Sequence, residues 1–241
     1  MPQKKYILTV LICLIFGTKL VQAEPLLVYF QTAVSVKERE SKAKAEFDKN
    51  QVELVLFAKF REFLEEVRKR NPNMLIAPSE YSLAANDYVP MYQLRRSGKS
   101  KFKIQMYSLS KDKVDFAKAK LGLVETTDRE KLKELAKKWF GVDVPIIKSV
   151  TKPEDLFPLM VFKSVDIIAV QPEDLPLLKE KFTTEVFQVA ESSFVQYPVL
   201  FMKKDVDVSQ FKTFVKQISP AALNSLGFSD LEEITSKEGK Q

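Results

Sequence analysis

Reactive chemistry in a protein depends first on which side chains it owns, and this chain owns no histidine. That excludes every Ser–His–Asp and Cys–His catalytic set and every His-ligated zinc or iron site. Its single cysteine is Cys13, and only 6 of its 241 residues are glycine, so a Gly-rich phosphate loop is not expected. What remains is carboxylates, hydroxyls, amides and bases. A carboxylate pair such as Glu80 with Asp166 would suit a hydrolase, but nothing in the spacing supports it beyond the presence of two acids. Thr127 with Glu130, and Thr151 with Glu154, have the spacing of capping boxes, which place a hydroxyl at a helix N-terminus. Arg95, Arg96, Lys99, Lys101 and Lys103 form a basic run that reads either as an anion-binding patch or, preferably, as a solvated hairpin tip.

These residues need elements to position them. Apolar residues are 45% and charged residues 29%, an ordinary globular balance. Lys4 and Lys5 precede an apolar run of 12 residues from Ile7 to Thr18, too short for the ~20 that span a bilayer. Val21-Gln22-Ala23 then offers a cleavage site, so residues 1–23 are predicted to be a secretory signal peptide, cut after Ala23. Ile12, before Cys13, argues against a lipoprotein anchor. The cut removes Lys4, Lys5 and Lys19 and leaves 35 bases against 32 acids. The basic excess is then slight and no nucleic-acid partner is expected. The exported chain has no cysteine, so no disulfide supports its core.

Strand-like runs are expected at Pro25–Phe30, within Val52–Ala58, and at Met74–Ala77, Leu121–Val124, Val142–Ile147, Val165–Val170, Val186–Ala190 and Phe194–Met202. Helical patterns fall between them. Leu56, Phe60, Phe63 and Val67 share one face, as do Leu132, Leu135, Ala136 and Trp139, and then Phe211, Phe214, Val215 and Ile218. Gly141 reads as a helix stop and Ser229 onward as a polar tail. The runs flanking Ser97-Gly98 suggest an antiparallel excursion, and the charged stretch 111–120 a border. Strands alternating with helices predict a parallel sheet with crossover helices. The segments MLIAPSEYSLA and IIAVQPEDLPLL echo each other weakly.

The order of elements, with the PSEYSLA loop, YVPMYQLRRSGKSKF, KSVDIIAVQPEDL and ESSFVQYPVLFMKKDVD, resembles type-2 periplasmic solute-binding proteins. The nearest resemblance is to the phosphate/phosphite/phosphonate-type ABC-transporter binding proteins, in which Pro78 and Tyr81 match a Pro-x-x-Tyr loop. The resemblance implies an α/β, two-lobed fold in which each lobe is a mostly parallel sheet flanked by helices. Lobe 1 is expected to comprise 24–112 and 193–235, and lobe 2 residues 113–192. It departs from the family where Glu125-Thr126-Thr127-Asp128 replaces a Gly-Ser/Thr-rich oxyanion loop, and where Ser164 replaces a glycine.

In such a protein the solute lies outside the carboxyl ends of parallel strands. The resemblance therefore implies ligand-binding roles for Gln31, Thr32, Ser79, Glu80, Tyr81, Thr126, Thr127, Gln171 and Ser192, with Ser193 beside it. Each also has a purely structural use: Thr127 and Ser79 as caps, Tyr81 in packing, Gln31 and Ser192 in turns. Three functions stay open. The first is a monomeric, non-enzymatic capture protein that needs no cofactor or metal and delivers an anionic solute to an ABC permease. The second is a periplasmic sensory or accessory module that binds a protein partner such as a membrane sensor. The third is the carboxylate hydrolase.

Overall fold

The computed structural model describes residues 25–29, 36–83, 87–127, 129–182 and 184–235. The apolar runs sort into two sheets. The first has six strands in the order β11-β4-β10-β3-β1-β2, where β1 is Pro25–Tyr29, β2 Glu53–Phe57, β3 Met74–Ala77, β4 Tyr88–Arg95, β10 Val199–Lys203 and β11 Asp230–Glu233. Strands β2, β1 and β3 are parallel, and β10, β4 and β11 add antiparallel pairs. The second has five strands in the order β7-β6-β8-β5-β9, where β5 is Lys101–Ser108, β6 Lys120–Val124, β7 Ile146–Val150, β8 Ile167–Val170 and β9 Phe187–Gln196. Here β7, β6 and β8 are parallel, and β5 and β9 run antiparallel.

Both sheets are covered on two faces, which is why the central parallel strands β1, β3 and β8 are continuously apolar, while the edge strand β7 (IIKSV) is not. Successive strand residues alternate faces. Leu26 and Val28 pack with Ala43 and Phe47 of α1 (Val36–Asp48), Phe211 of α6 (Val208–Gln217) and Leu223 of α7 (Pro220–Ser225). Leu27 and Tyr29 point the other way, onto Phe60, Phe63 and Val67 of α2 (Phe60–Arg70). In the second sheet, Leu121 and Leu123 meet Leu135, Ala136 and Trp139 of α3 (Arg129–Phe140). Ile168 and Val170 meet Leu156 and Phe157 of α4 (Leu156–Val161) and Leu178 of α5 (Asp174–Lys181). Gly122 allows that close approach: a Cβ there would lie 3.2 Å from Ile168 Cγ2 and 3.3 Å from Leu156 Cδ2. The expected amphipathic faces are core-facing, except that Leu56 lies in β2 and packs on the opposite side of the sheet from Phe60, Phe63 and Val67, and that Phe214 and Val215 are only partly covered.

The chain passes between the sheets twice. It leaves the first sheet after Arg95 and joins the second at Lys101, then leaves the second after Gln196 and returns at Val199. The runs flanking Ser97-Gly98 are therefore not one hairpin; β4 and β5 belong to different sheets, and only an isolated Arg96–Lys99 bridge joins them. By strand pairing, 101–108 lies with the second sheet, and the charged stretch 111–120 leads from β5 to β6 within it.

Several local expectations are corrected. The strands expected at Val186–Ala190 and Phe194–Met202 are instead one long β9 followed by β10. The break falls at Tyr197-Pro198, where proline has no N–H for a ladder. Neither capping box forms. Thr127 Oγ1 and Glu154 Oε2 have no hydrogen-bond partner, and α4 is preceded by a 3-10 turn, Pro153–Asp155, rather than by a capped helix start. The residues after Ser229 are not a plain tail: Asp230–Glu233 is an edge strand on β4, joined by an Asp230–Arg95 ion pair.

Candidate functional site

The parallel strands of both sheets end at one place. Tyr29 closes β1, Pro78 and Glu80 follow β3, Thr126 follows β6 and Gln171 follows β8, and all five line one cavity of about 70 Å³ between the sheets. The two crossings form its floor, where Arg96, Tyr197 and Pro198 also line it. This is the position expected for a ligand in a fold of this kind, outside the carboxyl ends of the strands.

The floor is tightly tied. Gln93 Nε2 donates to the Tyr197 carbonyl at 2.8 Å and to the Pro198 carbonyl at 3.2 Å. Leu94 N donates to Pro198 O, and Tyr197 N to Ser100 O, each at 3.0 Å. Arg96 sits 5.3 Å over the Tyr197 ring and 5.4 Å over the Phe228 ring. Its Nε donates to Gly227 O at 2.9 Å and its guanidinium pairs with Glu173 at 2.9 Å. The Tyr197 hydroxyl donates to the same carboxylate, and burial followed by the Glu173 charge pushes that hydroxyl up to about 12. Phe102 stacks on the Tyr197 ring at 4.7 Å. The guanidinium is thus held in one orientation at the cavity, with rings that carry it at low entropic cost.

The upper wall is α3. Thr126 and Thr127 lie just before it, and their hydroxyls are buried with no hydrogen-bond partner among the described residues. A buried unpaired hydroxyl is unfavourable by about 1–3 kcal/mol. Only Thr126, 6% exposed, lines the cavity. Facing it, Glu80 is 9% exposed, and burial pushes its carboxyl above the ordinary 4.5, opposed in part by the Ser79 hydroxyl and the charge of Lys138.

That raised value fixes a sign. Folding favours the protonated form of Glu80, so its contribution to stability is lost as pH rises through the folded value and restored as pH falls towards 4.5. Glu80→Gln is expected to melt above wild type at about pH 8, and the gap should close near about pH 4. A constant gap across thermal melts at both pH values would contradict this.

Two contacts, both on Glu125, join the two sheets' domains across the cavity mouth. The Tyr29 hydroxyl donates to the Glu125 carbonyl at 2.8 Å, and its acidity is suppressed mainly by burial. Arg61 Nε donates to Glu125 Oε1 at 3.2 Å. Trp139 and Glu80 line the same cavity from the two sides.

Set against the sequence, the cavity brings together Glu80, Thr126 and Gln171 of the expected residues. Gln31 and Thr32 lie outside the described residues. Ser79 opens the 3-10 turn Ser79–Leu83 and donates to Glu80 beside the cavity. Tyr81 does not line it: its ring lies 5.7 Å from Phe63, 5.6 Å from Phe201 and 6.3 Å from Tyr88, inside the lobe-1 core. Thr127, 1% exposed, lies behind Thr126. Ser192 is not in a turn but within β9, where the ladder slips, and its hydroxyl accepts from Ile104 N at 2.8 Å, satisfying an amide the bulge strands. Ser193 donates to Lys138 O. Asp166 is at the other end of the second sheet, accepting from Lys120 N, so it cannot pair with Glu80. The sequence reading missed Tyr29, Arg96, Trp139 and Tyr197. Arg96 was visible only as part of a basic run, because nothing local marks that run as an inter-sheet crossing.

The comparisons agree on the architecture. No family model matches the chain, and no curated protein does. Solved structures do match. A Xanthomonas citri protein bound to ATP has TM-score 0.62 at 9% identity, over 90% of this chain and 94% of that one. A binding-protein component of an ABC phosphonate transporter from Pseudomonas aeruginosa has TM-score 0.58 at 10% identity, over 88% and 82%. The alkanesulfonate-binding protein of Xanthomonas axonopodis pv. citri bound to MOPS has TM-score 0.55 at 15% identity, over 85% and 73%. The chain has the two-lobed periplasmic-binding-protein fold of these neighbours, each lobe a sheet flanked by helices. No helix among the described residues is long and apolar enough to cross a membrane.

Proposed function

We propose that this chain is an exported, non-enzymatic solute-binding protein that captures a small anionic solute of phosphate or phosphonate type between its lobes for an ABC permease. The observation that carries this reading is the unpartnered Thr126 hydroxyl, buried at the N-terminal end of α3 and facing the cavity. A helix start offers free N–H groups and a positive dipole end to an anion. The fixed guanidinium of Arg96 at the same cavity, already paired with Glu173, offers N–H donors. Neighbours of the fold whose names mention phosphonate and alkanesulfonate are consistent with that class.

Glu80 refines it. A solute that keeps an acidic proton near neutrality, such as hydrogen phosphate or an alkylphosphonate, shares a proton with the Glu80 carboxyl, whereas sulfate brings none to share. The cavity volume of about 70 Å³ fits a small group: one water needs about 10–15 Å³, so the space suits a solute of on the order of five non-hydrogen atoms.

Thermal shift across phosphate, alkylphosphonates, sulfate, carboxylates, arginine and nucleotides tests the reading. Phosphate or a small phosphonate at a hundredfold excess over its Kd is expected to stabilise by about 2.7 kcal/mol, with sulfate well behind. Glu125-Thr126-Thr127-Asp128 in place of a Gly-Ser/Thr-rich oxyanion loop also favours a second reading, a periplasmic sensory or accessory module of the same fold that binds a protein partner. No shift with any solute, together with capture of one membrane protein, supports that second reading.

A further inference from the structure

The contacts across the cavity mouth are complete in themselves. The Tyr29 hydroxyl and the Glu125 carbonyl satisfy each other, and both residues are buried, 1% and 7% exposed. The Glu125 carboxylate is in turn held by Arg61, whose side chain is 74% exposed on the outer rim. Tyr29 and Arg61 belong to the first lobe, Glu125 to the second. One residue, Glu125, is engaged twice, by its backbone and by its side chain. It is also anchored within its own lobe, since its N–H donates to Val150 O at 2.8 Å. Pulling the lobes apart therefore breaks both contacts together and exposes the Tyr29 hydroxyl.

We infer that these contacts form a latch keyed on Glu125, which holds the lobes closed by the chain's own groups, so that a solute reaches the cavity only through a minority open population. In an open-resting protein, by contrast, the solute itself bridges the lobes and draws them together. Here the bridging groups are already paired, and the solute adds the partner that Thr126 lacks. A population of this kind gates the rate of binding in proportion to the open fraction.

The test uses no solute, so it stands or falls apart from the proposed function. Solution scattering of the solute-stripped protein is expected to fit the closed shape. Hydrogen exchange then reads the opening, because amide exchange in the native state follows the population of open forms. In Tyr29→Phe/Arg61→Ala, exchange at the cleft amides of Thr126 and Thr127 is expected to speed up about tenfold, the equivalent of about 1.4 kcal/mol in the opening equilibrium. The β6 amides of Leu121 and Leu123, which leave their sheet only on unfolding, should keep their rates. Arg61→Ala alone alters only an exposed side chain and should give a smaller change in the same direction. Scattering that fits an open shape, cleft amides unmoved in the double variant, or equal acceleration of β6 would each overturn the latch.

Discussion

Phe63→Ala is expected to lower the melting temperature on the order of 10 °C. The ring is fully buried, at 0% exposure, and stands at the centre of the lobe-1 aromatic cluster. It lies 5.9 Å from Tyr29, 5.8 Å from Phe57, 6.2 Å from Phe60 and 5.7 Å from Tyr81. Truncation removes the apolar surface it hides and leaves a cavity that four neighbouring rings cannot fill without leaving their rotamers. Such changes destabilise by about 3–5 kcal/mol, and for a chain of this size each kcal/mol moves Tm by about 2–4 °C. Thermal denaturation followed by circular dichroism measures it. A drop of no more than about 2 °C would mean that the cluster is not packed as described. Because Phe63 also supports Tyr29, whose hydroxyl crosses the cavity mouth, the same variant should loosen the cleft.

Thr126→Val is expected to change stability and binding in opposite directions. Valine keeps the shape and replaces a hydroxyl that has no partner. Removing an unsatisfied buried polar group should stabilise the solute-free protein by about 1 kcal/mol, or about 2–4 °C. Binding of phosphate or a small phosphonate should weaken by about 10- to 100-fold, since a hydrogen bond to a charged group contributes about 1.5–3 kcal/mol. Thr127→Val is the control. Its hydroxyl is also unpaired but does not line the cavity, so stability should rise and binding should hold. Calorimetric titration of the three proteins decides it. Equal binding by wild type and Thr126→Val would remove Thr126 from the site.

Much of this architecture was legible in the sequence because it rests on local periodicity. The faces of α2, α3 and α6 are set by residues three and four apart, and the central parallel strands show as unbroken apolar runs, whereas β7, expected at Val142–Ile147, lies at Ile146–Val150 with Lys148 and Ser149 inside it. The cavity residues after β3, β6 and β8 followed from one rule about strand ends. What was not legible depends on distant partners. Whether Arg96 belongs to a hairpin tip or to a crossing is decided by Glu173 and Gly227, 77 and 131 residues away. Ser192 looks like a turn residue until the slipped ladder at Ile104 is seen to need its hydroxyl. Tyr81 matched a loop motif, yet its ring is taken by Phe63 and Phe201, elements on either side of it in space. Glu125, which stands where the family has a Gly-Ser/Thr-rich loop, is paired with Arg61, a partner 64 residues earlier that nothing local reveals.

Native mass spectrometry of the protein isolated gently from its host cells tests the central idea most directly. The account predicts a one-to-one complex with a solute of only a few non-hydrogen atoms, displaced by phosphate or methylphosphonate and much depleted in Thr126→Val. A protein that carries nothing, and gains no bound mass when either anion is added in excess, would contradict it.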